Sequence, residues 1–205
     1  METLRRLQQL FKRFPGIGER QAMRFAYFLA TADENYIRDL TESIASIRKN
    51  VRRCAQCFAL SENIISGLCP VCADPARDKS MLLVVEKDAD RDRFMQSKTY
   101  SGQYFVLGGL APAIEKDAHQ HIRLGELSKL VATEIKNKLK EVILALSATP
   151  DGDRTEALIL LQLEKVRTEN SILVSVLGKG LSTGTEIEYS DAETLSSALK
   201  SRTHD

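Results

Sequence analysis

All four thiols of the 205-residue chain lie in one segment, RRCAQCFALSENIISGLCPVCAD, residues 52–74. They form two Cys-x-x-Cys pairs, Cys54 with Cys57 and Cys69 with Cys72, eleven residues apart. Two such turns each present a pair of sulfurs, and together they complete the tetrahedron that Zn²⁺ favours. Four thiolates leave no open position for water, so the expected Zn²⁺ is structural. A loop of this size cannot bury enough surface to fold alone, and metal binding, on the order of 10 kcal/mol in small zinc modules, supplies what is missing. A redox dithiol, plain buried cysteines and an iron–sulfur cluster are the alternatives; the first two do not require both pairs at this spacing.

A second set of groups is acidic. The apolar run MLLVVE ends in Glu86, and the run EVILALS leads into ATPDGDRTEA, which carries Asp151 and Asp153. In parallel α/β sheets the carboxyl ends of the strands form the ligand crevice, so these three carboxylates are expected to converge there. Such a trio can hold a weak Mg²⁺ and support phosphoryl transfer. The acids can equally stabilise the start of a helix near Asp153. One glutamate after a first strand and an Asp-x-Asp after a later one resembles the Toprim domain of topoisomerases and primases. No tyrosine is assignable as a strand-cleaving nucleophile, and three carboxylates are few for a two-metal enzyme. His119 and His121 form a His-x-His pair in a polar stretch with no further ligand nearby, which reads as a solvated loop.

The third set is basic. FPGIGERQAMRFA, residues 14–26, places Pro15, Gly16 and Gly18 between two helical patterns. No strand precedes it and Gln21 stands where a third glycine would be needed, so it is not a dinucleotide fingerprint. Pro15 cannot continue the first helix, and the glycines permit a tight reversal. A second helix starting near Glu19 would point its amide N–H groups outward beside Gly16 and Gly18, a seat for one phosphate. Arg20 and Arg24 share a face of that helix, and Lys12 and Arg13 end the preceding one. The stretch resembles a helix-hairpin-helix, which grips nucleic-acid backbone without reading sequence. An ordinary helical hairpin is the alternative, and Glu19 at the turn opposes phosphate.

These groups need elements to position them. Apolar residues recur at helical spacing from 3 to 51: Leu4, Leu7, Leu10, Phe11 and Phe14; then Ala22, Phe25, Ala26 and Leu29; then Ile37, Leu40, Ile44, Ile47 and Val51. Beyond the cysteines, runs at 81–86, 104–110, 141–147 and 172–177 read as buried strands, with 185–189 a possible fifth. Helical patterns lie between them, clearest at 124–139 and 153–168. Strands alternating with helices imply a mostly parallel sheet covered on both faces. Hydrophobic residues make up 43% of the chain, enough for a sizeable core. Net charge is +1, yet residues 1–57 hold 11 Lys+Arg against 6 Asp+Glu, a net of +5 that leaves −4 for the rest. A basic front suggests an anionic partner such as DNA. The amino terminus has no signal-peptide pattern and no run reaches membrane-spanning length, so a cytoplasmic protein without membrane contact is expected.

In order and length these parts resemble the RecR family of bacterial recombination mediators. The closing segment, GKGLSTGTEIEYSDAETLSSALKSR, is similar to that family's at Gly180, Leu181, Gly184, Glu188, Tyr189, Asp191, Thr194, Leu195 and Arg202. The resemblance implies a helix-hairpin-helix over 1–53, a zinc finger over 54–76, a Toprim domain over 80–177 and an oligomerising strand-helix tail over 178–205. It also implies a non-enzymatic role in recombinational repair, with RecO and RecF as partners in loading recombinase on gapped DNA, and a dimer-to-tetramer ring. On that footing the three acids contact a partner or a weak metal, and the alternative is a Mg²⁺-dependent Toprim nuclease.

Overall fold

The computed structural model describes residues 1–112, 122–178, 180–181 and 184–200; His119, His121 and Arg202 lie outside them. The chain divides into two compact units, Met1–Arg52 and Arg53–Asp205. Among the described residues no helix is long and apolar enough to cross a membrane.

The first unit is helical: α1 (Glu2–Phe11), α2 (Glu19–Thr31) and α3 (Glu34–Asn50). Gly16 takes φ +74°, the left-handed region that lets the chain reverse between α1 and α2. Ala22 and Ala26 are fully buried, small side chains one turn apart that let the hairpin close tightly. The Phe11 ring meets Phe14 and Phe25 edge-on at 5.7 Å. Asp33 caps α3 by accepting from the Tyr36 N–H at 3.0 Å. That helix buries no residue, leaving Ile44 and Ile47 more than half exposed.

The cysteines are surrounded by β1 (Arg52–Arg53), which begins at the last residue of the first unit, and by β2 (Leu60–Ser61) and α4 (Pro70–Ala73) of the second. After them come β3 (Asp78–Val85), α5 (Asp88–Ser97), β4 (Gly102–Val106), α6 (Leu124–Glu134), β5 (Glu141–Ala145), α7 (Pro150–Asn170), β6 (Leu173–Val176) and α8 (Ala192–Lys200). The four longer strands form one parallel sheet in the order β4-β3-β5-β6. The winding direction reverses at β3, so the β3/β5 boundary is the switch point where open α/β sheets place ligands.

Period-2 alternation sorts the core. Leu82, Val84, Phe105, Val142 and Leu144 pack with Leu127 and Val131 of α6 and with Ile159 and Leu163 of α7. Leu83, Val85, Tyr104 and Val106 face the other way and share a core with Cys54, Cys57, Ala59 and Cys69. The cysteine segment thus covers one face of the sheet rather than standing apart from it.

Three elements differ from the sequence reading. The run at 104–110 leaves the sheet after Val106, because Gly108 and Gly109 take positive φ. The expected strand at 185–189 is a 3₁₀ turn, Ile187–Tyr189, with Ile187 and Tyr189 well exposed, so no buried face supports a strand. Helix α6 stops at Glu134, tightens into a 3₁₀ turn (Ile135–Asn137) and ends at Lys138 in the left-handed region.

Candidate functional site

The four sulfurs come together: all lie within 4.8 Å of one another, and no other set of three or more His, Cys, Asp or Glu does so among the described residues. The Cys57 and Cys69 sulfurs are 3.7 Å apart, and four thiolates bound to zinc at about 2.3 Å would stand about 3.8 Å from one another. Local backbone builds the site. Phe58 N–H donates to the Cys54 carbonyl, closing the first knuckle at 3.1 Å, and Cys69 N–H donates to Cys54 Sγ at 3.3 Å. Phe58 holds φ +59°, costly for an aromatic residue, and is retained by an edge contact with Phe105 and by Arg123 over its ring. Crowding splits the acidities: hydrogen bonds from Cys57, then Cys69 and Cys72, pull the Cys54 thiol down, while contact with Cys54 foremost pushes Cys57 and Cys72 up. Four thiolates cannot share this volume without a cation, and Zn²⁺ fits both the donor set and the spacing. Cys54, Cys57, Cys69 and Cys72 would hold it, and with all four positions filled by thiolates its service would be structural.

The hairpin residues lie in the first unit. Gly18 precedes α2 without a side-chain cap, and a Cβ at Gly16 or Gly18 would meet nothing within 4 Å, so backbone is bare on that side. Lys12, Arg13, Arg20 and Arg24 are exposed. Lys12 pairs loosely with Glu19 at 4.0 Å, offsetting the charge that opposes phosphate. Arg13, Arg20 and Arg24 form no salt bridge with described residues.

The carboxylates share one end of the sheet without closing into a cluster. Glu86, immediately after β3, is 5% exposed. Its Oε2 accepts from Ser147 Oγ at 2.7 Å, and its Oε1 pairs with the Lys87 ammonium, which is held charged to higher pH by that contact. Asp151 and Asp153 sit in the first turn of α7, where the helix dipole favours negative charge. The cap there is Thr149, whose hydroxyl accepts from Gly152 N–H at 3.1 Å, so neither aspartate is needed for capping. Sequence reading missed Lys87, Ser147 and Thr149. Only Lys87 carried a signal, as the residue next to Glu86.

Comparison with known proteins bears on both units. The Toprim domain family matches residues 80–178, and the family described as "RecR, C-terminal" matches residues 180–203. The recombination protein RecR of Bifidobacterium longum is 36% identical over 201 residues, covering 98% of this chain and 95% of that one. Its counterpart in Porphyromonas gingivalis is 34% identical, covering 94% and 88%, and that of Lactococcus lactis subsp. cremoris is 32% identical, covering 98% and 96%. Identity at this level over nearly the whole length includes the helical unit, the cysteine module and the sheet alike, and it settles that the chain belongs to the RecR family.

Proposed function

We propose that this chain is a non-enzymatic, DNA-binding mediator of recombinational repair that acts with RecO and RecF to load recombinase on gapped DNA. The hairpin carries the reading: bare backbone at Gly16 and Gly18, an uncapped helix start, and Arg20 and Arg24 exposed without acidic partners. Those features suit a phosphate backbone and offer nothing that distinguishes one base from another. The relatives' shared name, recombination protein, supports the repair context. RecO and RecF enter by family resemblance, and so does the ring. For self-assembly, support comes from the first unit's exposed apolar side chains, Leu10, Phe28, Ile44 and Ile47 among them. Mass measured in solution, with and without DNA, tests the ring; a monomer at all concentrations would exclude it.

Binding should weaken steeply with salt and vary little with sequence, because each neutralised phosphate releases counterions. Arg20→Ala combined with Arg24→Ala should lower the slope of log Kobs against log salt by about 2, near 0.9 per lost phosphate contact. An unchanged slope places the DNA path elsewhere.

The second reading, a Mg²⁺-dependent Toprim nuclease, draws on the shared location of Glu86, Asp151 and Asp153. Against it, Glu86 already balances its charge with Lys87 and accepts from Ser147, which leaves little for a divalent ion to gain there. Purified protein with Mg²⁺ or Mn²⁺ should neither cleave, relax nor prime DNA. Metal-dependent turnover that disappears in Asp151→Asn would promote the nuclease, since losing a ligand removes most of such an enzyme's rate.

A further inference from the structure

Parallel strands give a sheet two unlike poles. The carboxyl pole holds Glu86 and the start of α7, while the amino pole gathers what precedes β3 and β5. Lys79 lies near the start of β3, and Lys140 directly precedes β5. The two strands run in register from Met81↔Glu141 to Val85↔Ala145, about 13 Å of strand between the poles. Between α6 and β5 the chain turns through the 3₁₀ segment and Lys138 at φ +79°. Leu139 is buried as the anchor of this turn, while Lys136, Lys138 and Lys140 around it stay exposed. Lys79, Ser80, Lys136, Asn137 and Lys138, with Asp78, line a depression of about 450 Å³.

The charge here is not incidental to composition. Residues 58–205 carry a net of −4, yet the stretch 136–140 reads KNKLK with no acid. None of the four lysines forms a salt bridge with described residues. Of the nearby acids, Asp78 accepts from Ser80 N–H at 2.8 Å and attracts Lys140, Glu141 accepts from Ser175 Oγ at 2.6 Å, and the buried Glu134 accepts from Asn137 Nδ2 at 3.4 Å. Lysines that merely solvate a surface are normally interspersed with acids, which lowers mutual repulsion. Lys79, Lys136 and Lys138 line the depression against the single acid Asp78; the three ammonium groups repel one another and gain from a polyanion that spans them.

We propose that Lys79, Lys136, Lys138 and Lys140 at the amino pole of the sheet form a second contact for nucleic-acid phosphate backbone, separate from the hairpin. The inference rests on the DNA-binding reading above. Lysine acts as a point charge without the planar fork that reads bases, so the contact adds affinity and salt dependence but no sequence preference.

The test uses the full chain and a labelled gapped duplex. Lys79→Ala, Lys136→Ala and Lys138→Ala together should lower the salt slope by about 2 to 3, at about 0.9 per phosphate, and raise Kd at low salt by about tenfold or more. The corresponding Lys→Arg triple should keep the wild-type slope, separating charge from folding. Independently, DNA should protect Lys136 and Lys138 of the wild type from chemical acetylation, read by mass spectrometry. A wild-type slope in the alanine triple, with acetylation unaffected by DNA, overturns the second contact while leaving the hairpin reading intact. Protection by polyglutamate but not by DNA also overturns it and assigns the patch to an acidic protein. A wild type with no salt-dependent DNA binding removes the hairpin reading and this inference together.

Discussion

Cys54→Ser is expected to drop zinc content from one per chain to a small fraction and to unfold the cysteine module. The serine hydroxyl stays protonated at neutral pH and cannot replace a thiolate, so three ligands remain around an open position. The module's few strands and its single-turn helix bury too little to hold themselves, and metal binding of about 10 kcal/mol is what folds such segments. The loss spreads because Cys54, Cys57, Ala59 and Cys69 share a core with Leu83, Val85, Tyr104 and Val106. With the module gone, that face of the sheet meets water, and the bond from Val106 N–H to the Cys57 carbonyl, 2.8 Å long, is lost. Elemental analysis alongside thermal melting checks this. In the wild type, acid should release the metal, since protons compete for the thiolates and affinity falls as pH falls. Zinc-free protein that melts at the wild-type temperature would falsify the structural role.

The cysteine site was legible because its determinants are local: both knuckles close within a few residues, and all four ligands fall within 54–72. That the module serves as a cover for the sheet was not legible, because the contacts that show it join residues far apart, as Cys57 to Val106 does. Helical periodicity marked α1, α2 and α3 well. It missed α5, whose sequence DADRDRFMQS buries no residue and therefore writes no apolar stripe. At 185–189, Thr185, Ile187 and Tyr189 alternate as a strand would, but alternation identifies a strand only when one face finds a partner, and Ile187 and Tyr189 find none.

The acidic residues divide in the same way. Their placement at one end of the sheet followed from strand polarity alone. The engagement of Glu86 did not, because Ser147 arrives from 61 residues away and only the β3/β5 pairing brings it there. Lysines 136, 138 and 140 are plain in the sequence, but a run of charge reads as solvated surface until the fold brings Lys136 and Lys138 to one depression with Lys79.

Gly152→Ala should be the most damaging single-methyl change at the carboxyl pole, lowering stability by about 3 kcal/mol, at the upper end of overpacking costs. A Cβ on Gly152 would lie 1.9 Å from the Ser147 carbonyl oxygen. Its backbone is helical, so the penalty is contact and not dihedral strain. Relief requires either the first turn of α7 or the 147–149 segment to move by more than 1 Å, and both are pinned. Ser147 Oγ donates to Glu86, the Thr149 hydroxyl caps Gly152 N–H, and Thr155 Oγ1 donates to the Asp151 carbonyl at 2.6 Å while accepting from Ala111 N–H at 2.9 Å. Gly125 supplies the control. It lies in α6, where a Cβ would meet nothing within 4 Å, so Gly125→Ala should raise stability by up to about 1 kcal/mol through helix propensity and a less flexible unfolded chain. At about 2–4 °C per kcal/mol for a chain of this size, the two variants should melt on opposite sides of the wild type, with Gly152→Ala lower by about 6–12 °C. If Gly152→Ala melts with the wild type, the close approach to Ser147 is not what fixes the Asp151–Asp153 turn. If it melts low yet keeps the salt slope of DNA binding, the carboxyl pole is a separate site from the surface that grips DNA, as a partner-docking role for Glu86, Asp151 and Asp153 requires.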